Sequence, residues 1–358
     1  MNVGIIGSGQ LGRMLIMEGR KLPFRYYVCD REKGPAAEIA DGFYNTDEFR
    51  AFVDVCDVIT YEFEHVDEKP LNFAERQGKL FPSLLPVELK RSRIREMEYL
   101  DKHGLPVPEF RICHSLQEVR SACKELGKTV VKYSTGGYDG KGIWFISGGD
   151  LPGEMREGDY LVEEYVDYDY EASIILSRDG AGNIRAHTPS LNVNMEGILV
   201  HNRAPVDDTQ MTEIAAHLAS SLNYVGVMGV EFLIRDGRAI INEFAPRVHN
   251  SGHHTLHGSS ISQFEQHIRT ISGMPCGKPT LYMPSGIVNL LGVRPEMSEL
   301  RTLMEENDAH LYWYGKSEIR KRRKVGHINL CARTVEELDA LIDETMRTIY
   351  GGNLRLFL

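Results

Sequence analysis

Val230-Glu231-Phe232-Leu233-Ile234-Arg235-Asp236-Gly237-Arg238-Ala239-Ile240-Ile241-Asn242-Glu243 consists of two mostly apolar runs separated by Asp-Gly. This pattern predicts a β-hairpin, because both central residues of the tight turn need positive φ, which Asp and Gly tolerate. A two-residue turn at 236–237 predicts Glu231 directly opposite Asn242, with side chains on one face. Glu243 would then point to the other face unless the strand bulges or twists there. Carboxylates among apolar neighbours are costly without a compensating cation. Mg²⁺ takes hard oxygen ligands, one or two of them carboxylates and the rest from phosphates and water. Glu231 and Glu243 are therefore candidate metal ligands, with a solvated hairpin edge as the alternative.

The chain continues as Glu243-Phe244-Ala245-Pro246-Arg247-Val248-His249-Asn250-Ser251-Gly252-His253-His254, without an apolar period. Arg247 offers bidentate binding to an anion, and His249 offers hydrogen bonding or proton relay. The histidine spacing is not that of a zinc helix, and Pro246 and Gly252 argue against a helix here. Further on, Arg320-Lys321-Arg322-Arg323-Lys324 is a five-residue basic run leading into Val325-Gly326-His327. It reads either as a solvated or nucleic-acid-facing patch or as a pocket for one phosphate.

Two glycine loops precede these segments. Gly7-Ser8-Gly9-Gln10-Leu11-Gly12 sits between an apolar run at Val3–Ile6 and a helical pattern, and Asp30 follows at about the distance of a ribose-binding acid. That matches a dinucleotide fingerprint, but the physics is only that of an anion at a helix N-terminus, so a nicotinamide cofactor and a ribose phosphate both remain open. Lys132-Tyr133-Ser134-Thr135-Gly136-Gly137-Tyr138-Asp139-Gly140-Lys141-Gly142 lacks the hydroxyl residue that a Walker loop needs after its lysine. It remains a suitable flexible cover for a polyphosphate, or a plain hairpin loop with solvated lysines.

With 358 residues the chain exceeds one hydrophobic core and suits two or three domains. The expected class is α/β, with α+β character in the central part. A Rossmann-like parallel sheet occupies 1–86, a nucleotide-binding unit 87–275, and a small α/β unit 276–358. A helix is expected from about Val87 to His103, ended by Gly104. Another is expected at Ser260–Ser272, opened by a Ser260/Gln263 capping box. A formal charge of −10 argues against broad nucleic-acid binding. Six scattered cysteines without a C-x-x-C pair suggest reduced thiols and a cytoplasmic protein. The first residues read as a strand rather than a signal peptide, and no apolar run approaches the roughly 18 residues of a membrane span.

Together, Gly9-Gln10-Leu11-Gly12-Arg13-Met14, Thr135 to Gly142, Asn242 to His253 and Lys324-Val325-Gly326-His327 resemble the ATP-grasp superfamily. Within it, they resemble the 5-(carboxyamino)imidazole ribonucleotide synthetase family over essentially the whole chain. The resemblance implies ATP held between two antiparallel sheets, Mg²⁺, and a homodimer. It also implies carboxylation of 5-aminoimidazole ribonucleotide by bicarbonate through carboxyphosphate, in purine biosynthesis. Because carboxyphosphate is water-labile, the Gly136–Gly142 loop is the expected lid.

Carried over by motif, Arg93 and Lys132 contact the ATP phosphates, and Gly137, Tyr138, Asp139, Gly140, Lys141, Gly142 and Ile143 cover them. Glu163, Glu164, Tyr165 and Val166 form the adenine hinge, Glu171 takes the ribose, and Asn194 is a further ATP-binding residue. Glu231 and Glu243 hold Mg²⁺, assisted by Asn242. Arg247 and His249 position bicarbonate or its phosphate, while Tyr138 and Asp139 approach the aminoimidazole. Gln10, Leu11 and Lys324 bind the substrate phosphate, Glu64 its ribose hydroxyls, and Asn250 and Ser251 complete that side. Some relatives carry His where this chain has Asn194, which removes a titrating group. Rival readings are another ATP-grasp ligase (formate-dependent glycinamide ribonucleotide transformylase or a biotin carboxylase), a dehydrogenase built on the first glycine loop, and a non-catalytic nucleotide-binding module.

Overall fold

The structure, a computed structural model, describes residues 1–135 and 142–358. The expected loop residues Gly137, Tyr138, Asp139, Gly140 and Lys141 lie outside the described residues; Gly142 and Ile143 lie within them.

The apolar strand Asn2–Ile6 pairs in parallel with Arg25–Asp30 on one side and Val58–Tyr61 on the other, and Gly42–Asn45 extends the sheet. Parallel strands need crossovers, and the helix Gln10–Gly19 supplies the first of them. Its Met14, Leu15 and Ile16 are almost completely buried with Val3, Ile5 and Val28. Burial of each such side chain contributes roughly 1.5–3 kcal/mol. The same cluster includes Phe264 and Ile268 of the helix Gln263–Ile271, so the N-terminal layer is welded to the centre of the molecule.

The hairpin joins Gly226–Arg235 to Arg238–Ala245, with Asp236 at φ 51° and Gly237 at φ 70°. It forms the edge of a long antiparallel sheet. Among the described residues that sheet continues through Tyr170–Arg178, Ser190–Met195, Ile198–Ala204, Ser285–Leu291, Lys324–Cys331 and Asp308–Trp313. The sheet therefore runs unbroken across position 276. Ile198–Ala204 pairs with Ser285–Leu291 from His201↔Val288 to Ala204↔Ser285. A separate antiparallel sheet is built from Phe110–Cys113, Tyr160–Glu164, Lys128–Tyr133 and Ile143–Ser147. No helix among the described residues is long and apolar enough to cross a membrane.

Two helices differ from expectation. The stretch expected to be helical from Val87 to His103 is broken into Leu84–Lys90 and Arg93–Lys102. Ser92 adopts an extended conformation and caps the second helix by accepting from the Arg95 amide. The break brings both Lys90 and Arg93 onto one cleft. The later helix is Gln263–Ile271, capped by Ser262 through the Glu265 amide rather than by Ser260. The Ser260 hydroxyl instead donates to Lys278 O and accepts from Thr280 N.

Candidate active site

A cleft of about 1070 Å³ lies between the two antiparallel sheets and reaches the first glycine loop. At that loop the anion-binding amides are already taken. Gly9 N and Gly12 N donate to the two carboxylate oxygens of Glu62 at 2.5 and 2.7 Å. Ser8 N donates to Asp30 Oδ2 at 2.8 Å, so the acid at the ribose-binding distance is engaged with the loop itself. A dinucleotide pyrophosphate would have to displace the buried Glu62, which removes the physical basis for the nicotinamide reading. Gln10 and Leu11, the first helical residues, retain amides without a helical partner and line the cleft.

The hairpin register is decided by a bulge. Arg235↔Arg238 through Phe232↔Ile241 follow the turn, and then Glu231 pairs with Glu243, leaving Asn242 as the extra residue. The expected pairing of Glu231 with Asn242 is thus displaced by one residue. Opposite residues of an antiparallel pair share a face, and Glu231, Asn242 and Glu243 all line the cleft. Burial and the neighbouring Glu243 charge push the Glu231 carboxyl up from its usual range, whereas the Lys90 ammonium holds Glu243 well below it. Two carboxylates with one amide oxygen between them are hard donors, and they suit an ion that draws its remaining ligands from phosphate and water. No group of three or more His, Cys, Asp and Glu able to enclose a metal exists among the described residues.

Around this pair the expected nucleotide residues converge. Lys132 Nζ is 2.7 Å from Glu163 Oε2, both largely buried. Arg93 donates through Nη1 to Tyr133 O at 2.9 Å. Glu164, Tyr165 and Val166 line the cleft beside Ile143, and Lys128 Nζ lies 3.3 Å from the centroid of the Tyr165 ring. Glu171 accepts from Tyr168 Oη at 2.8 Å and from the Asn194 amide, so Asn194 is fixed as a donor to that acid. Gly142 has φ 67° and adjoins the strand that Ile143 opens.

On the other side, Arg247 Nε stands 3.0 Å from Glu64 Oε1, both side chains largely buried. The residues expected at the anion and at the ribose hydroxyls are therefore neighbours. His249 lines the cleft, with Nδ1 2.9 Å from Ser251 Oγ and 3.7 Å from Glu231 Oε1. Burial, with the Arg247 charge adding to it, pushes the imidazole down to about 3, so it is neutral at ordinary pH. Ser251 is fully buried and stands behind His249 rather than on the cleft wall. Asn250 does reach the wall, its side chain paired with Asn289 at 3.1 and 2.7 Å. His253 and His254 are buried at 0% and 1% exposure.

Lys324 lines the cleft together with Arg322, Arg323 and Lys316, so three members of the basic run stand on the cleft wall. Two of them are paired with carboxylates, Arg322 with Glu196 at 2.8 Å and Arg323 with Glu318 at 3.7 Å. Sequence reasoning missed Lys316, Lys90, Glu96 and Glu62. Lys90 donates to both oxygens of Glu96 at 2.8 and 2.9 Å and lies 3.5 Å from Glu243. The six-residue separation of Lys90 and Glu96 matches no helical pairing rule, and the break at Ser92 is what brings them together. Glu62 had a signal, standing two residues before Glu64 at the end of a buried strand.

Family models match residues 1–90 as a ribonucleotide synthetase preATP-grasp domain, 98–264 as an ATP-grasp domain and 285–341 as a phosphoribosylaminoimidazole carboxylase C-terminal domain. The chain is 46% identical to N5-carboxyaminoimidazole ribonucleotide synthase of Saccharolobus solfataricus, over 99% of this chain and 97% of the relative. The crystal structure of the phosphoribosylaminoimidazole carboxylase ATPase subunit from Aquifex aeolicus superposes with a TM-score of 0.85 at 41% identity, covering 98% of this chain and all of that one. An N5-carboxyaminoimidazole synthase from Aspergillus clavatus, in complex with ADP and 5-aminoimidazole ribonucleotide, gives a TM-score of 0.87 at 26% identity, covering 97% and 98% of the two chains. With a two-carboxylate hairpin facing a lysine- and arginine-lined cleft, and likeness over nearly its full length, this chain belongs to the N5-carboxyaminoimidazole ribonucleotide synthase family.

Proposed function

We infer that the chain is an ATP-dependent carbon–nitrogen ligase. It joins bicarbonate to the amine of 5-aminoimidazole ribonucleotide and releases ADP and phosphate, in purine biosynthesis. The observation that carries this reading is the placement of Glu231 and Glu243 opposite each other on a cleft that also holds Lys132, Arg93, Arg247 and His249. Phosphoryl transfer depends mainly on positioning and charge neutralisation, and these residues supply both.

In this reading Arg93 and Lys132 hold the triphosphate, and Arg247 holds bicarbonate against it. A bicarbonate oxygen attacks the γ-phosphorus and the bond to the β-phosphate oxygen breaks, giving carboxyphosphate and ADP. The substrate amine then takes the carboxyl carbon, phosphate leaves, and the amine proton passes to a base. The neutral His249 beside Arg247 hydrogen-bonds the reacting anion in this reading, and the departing phosphate is the base that takes the proton. Mg²⁺, when bound by Glu231, Glu243 and Asn242, supplies charge neutralisation at the phosphates. Gln10, Leu11 and Lys324 take the substrate phosphate, Glu64 its ribose, Glu163 to Val166 the adenine and Glu171 the nucleotide ribose. Tyr138 and Asp139 keep the aminoimidazole-facing role that the family resemblance implies.

The homodimer is part of the same reading, on the strength of that resemblance. A cytoplasmic setting is supported by six cysteines, all free. The division at 1–86, 87–275 and 276–358 belongs to the same reading; an apolar cluster is centred on each part, while the long sheet and the cluster joining Val3 to Phe264 cross the boundaries.

The test is coupled ADP release, measured with bicarbonate and with or without aminoimidazole ribonucleotide. Carboxylated product should form in proportion to ADP when all three substrates are present. ADP release that responds to formate or biotin instead would overturn the assignment.

A further inference from the structure

We propose that Gln263 is a positioning residue for His249, its side-chain amide holding both backbone hydrogen-bonding groups of that histidine at the reacting end of the cleft. The inference rests on the reading that places His249 beside bicarbonate or its phosphate.

His249 N donates to Gln263 Oε1 at 2.8 Å, and Gln263 Nε2 donates to His249 O at 2.7 Å. A primary amide carries an acceptor and a donor side by side, so it meets one residue's N–H and C=O as a neighbouring strand would. The His249 N–H needs such a partner, because the strand Arg238–Ala245 has ended before it and a buried donor left unmet is costly, whereas His249 O also accepts from Gly252 N at 3.0 Å. Gln263 Nε2 also lies 3.0 Å from His253 Nδ1, which ties the second histidine of the segment to the same amide.

Gln263 is itself immobilised, with 0% exposure. Its own N–H donates to Thr255 Oγ1 at 3.0 Å, and Thr255 Oγ1 donates to Gly252 O at 2.7 Å. It opens the helix Gln263–Ile271, whose Phe264 and Ile268 are buried in the core shared with the N-terminal layer. Two glycines make room for the arrangement. A Cβ at Gly252 would come within 2.5 Å of Gln263 Oε1, and one at Gly229 within 2.6 Å of His249 Cβ. His249 is thus held through its backbone by Gln263, flanked by Gly229 and bonded at Nδ1 to Ser251. Its ring has little freedom to drift, and a drift of about 1 Å at a reacting centre can cost about 100-fold in rate.

The test compares Gln263→Leu, Gln263→Glu and His249→Asn in the full-length protein. Gln263→Leu removes both bonds and should lower kcat/KM for bicarbonate by roughly 10- to 100-fold, with ATP affinity measured by calorimetry unchanged. Gln263→Glu is nearly isosteric. Ionised, it keeps the acceptor and loses the donor; protonated, it regains one donor. Its bicarbonate kcat/KM should therefore recover relative to wild type as pH falls, a response that a purely structural role would not produce. Should Gln263→Leu fail to fold, Gln263→Glu decides the matter alone. Wild-type bicarbonate kcat/KM in Gln263→Glu, or a deficit constant with pH, overturns the proposal. His249→Asn separates the two levels. Full turnover in that variant refutes the role given to His249, whereas an impaired His249→Asn beside an unaffected Gln263→Glu refutes only the positioning role.

Discussion

Glu231 and Glu243 occupy opposite positions of one antiparallel ladder because Asn242 bulges out of it, and Lys90 lies 3.5 Å from the second carboxylate. Like charges set face to face repel, and the repulsion is divided unevenly: Glu231 is raised and Glu243 lowered by its lysine neighbour. In the proposed reading a divalent cation with a triphosphate would relieve that repulsion directly, and the pair would be a conditional site rather than a permanent metal cage.

Replacing Glu243 by Gln should therefore reduce ADP release by about 100-fold or more, on the scale of losing one aimed electrostatic group in a transition state. Removal of free Mg²⁺ with EDTA should abolish turnover in the wild type, and added Mg²⁺ should restore it. Steady-state ADP release at a series of Mg²⁺ concentrations checks both; undiminished activity in EDTA would remove the metal from the reading.

The buried pair Lys90–Glu96, at 12% and 8% side-chain exposure, yields a stability prediction. Lys90→Met should cost about 3–5 kcal/mol by leaving the Glu96 carboxylate uncompensated. Adding Glu96→Gln should recover much of that loss. Chemical denaturation of the two single variants and the double variant measures the coupling, and additive losses would show that the pair does not act as a unit.

Gly9→Ala would bring a Cβ within 2.5 Å of Glu62 Oε1. The carboxylate must shift, and with it the first turn that presents the Gln10 and Leu11 amides. Expected is an increase of roughly tenfold in KM for the ribonucleotide substrate with ATP affinity retained, a difference of about 1.4 kcal/mol. Parallel titrations of the two ligands would show whether the effect is confined to the substrate end.

Asp179 yields a pH prediction away from the cleft. Burial alone would raise its carboxyl, but hydrogen bonds from Asn183, from the Cys276 and Asn183 amides and from the Ala181 amide hold it below the usual range. A depressed folded-state value means that this stabilisation is present above the unfolded value, near 4, and is lost as pH falls through the folded one. Asp179→Ala should cost about 2 kcal/mol at neutral pH, and less in acid. Denaturation midpoints of wild type and variant across that pH range should converge on acidification.

Much of the fold was legible because it rests on local rules. The glycine turn between strand and helix, the Asp-Gly hairpin and the apolar strands all form where period and turn chemistry place them. Misplaced boundaries share one cause. Ser92 and Ser262 start helices because their hydroxyls meet the Arg95 and Glu265 amides, choices settled by which serine the packed chain leaves free to cap. In the site, Arg93, Lys132, Arg247 and His249 were legible from their motifs. Lys90, Glu96 and Gln263 were not, since each acts on a residue remote in sequence or unrelated to it by helical spacing.

The residues themselves determined the chemistry on offer: two acids on a hairpin, an Arg–His anion segment, a glycine-rich loop between lysines, and a second glycine loop open to more than one anion. Tertiary structure alone decided which options survived. It placed the Glu62 carboxylate on the Gly9 and Gly12 amides, and it brought Glu243 opposite Glu231 through one bulged residue. The reason is physical: side-chain type is a local property, whereas the position of a charge depends on which distant backbone groups share its burial.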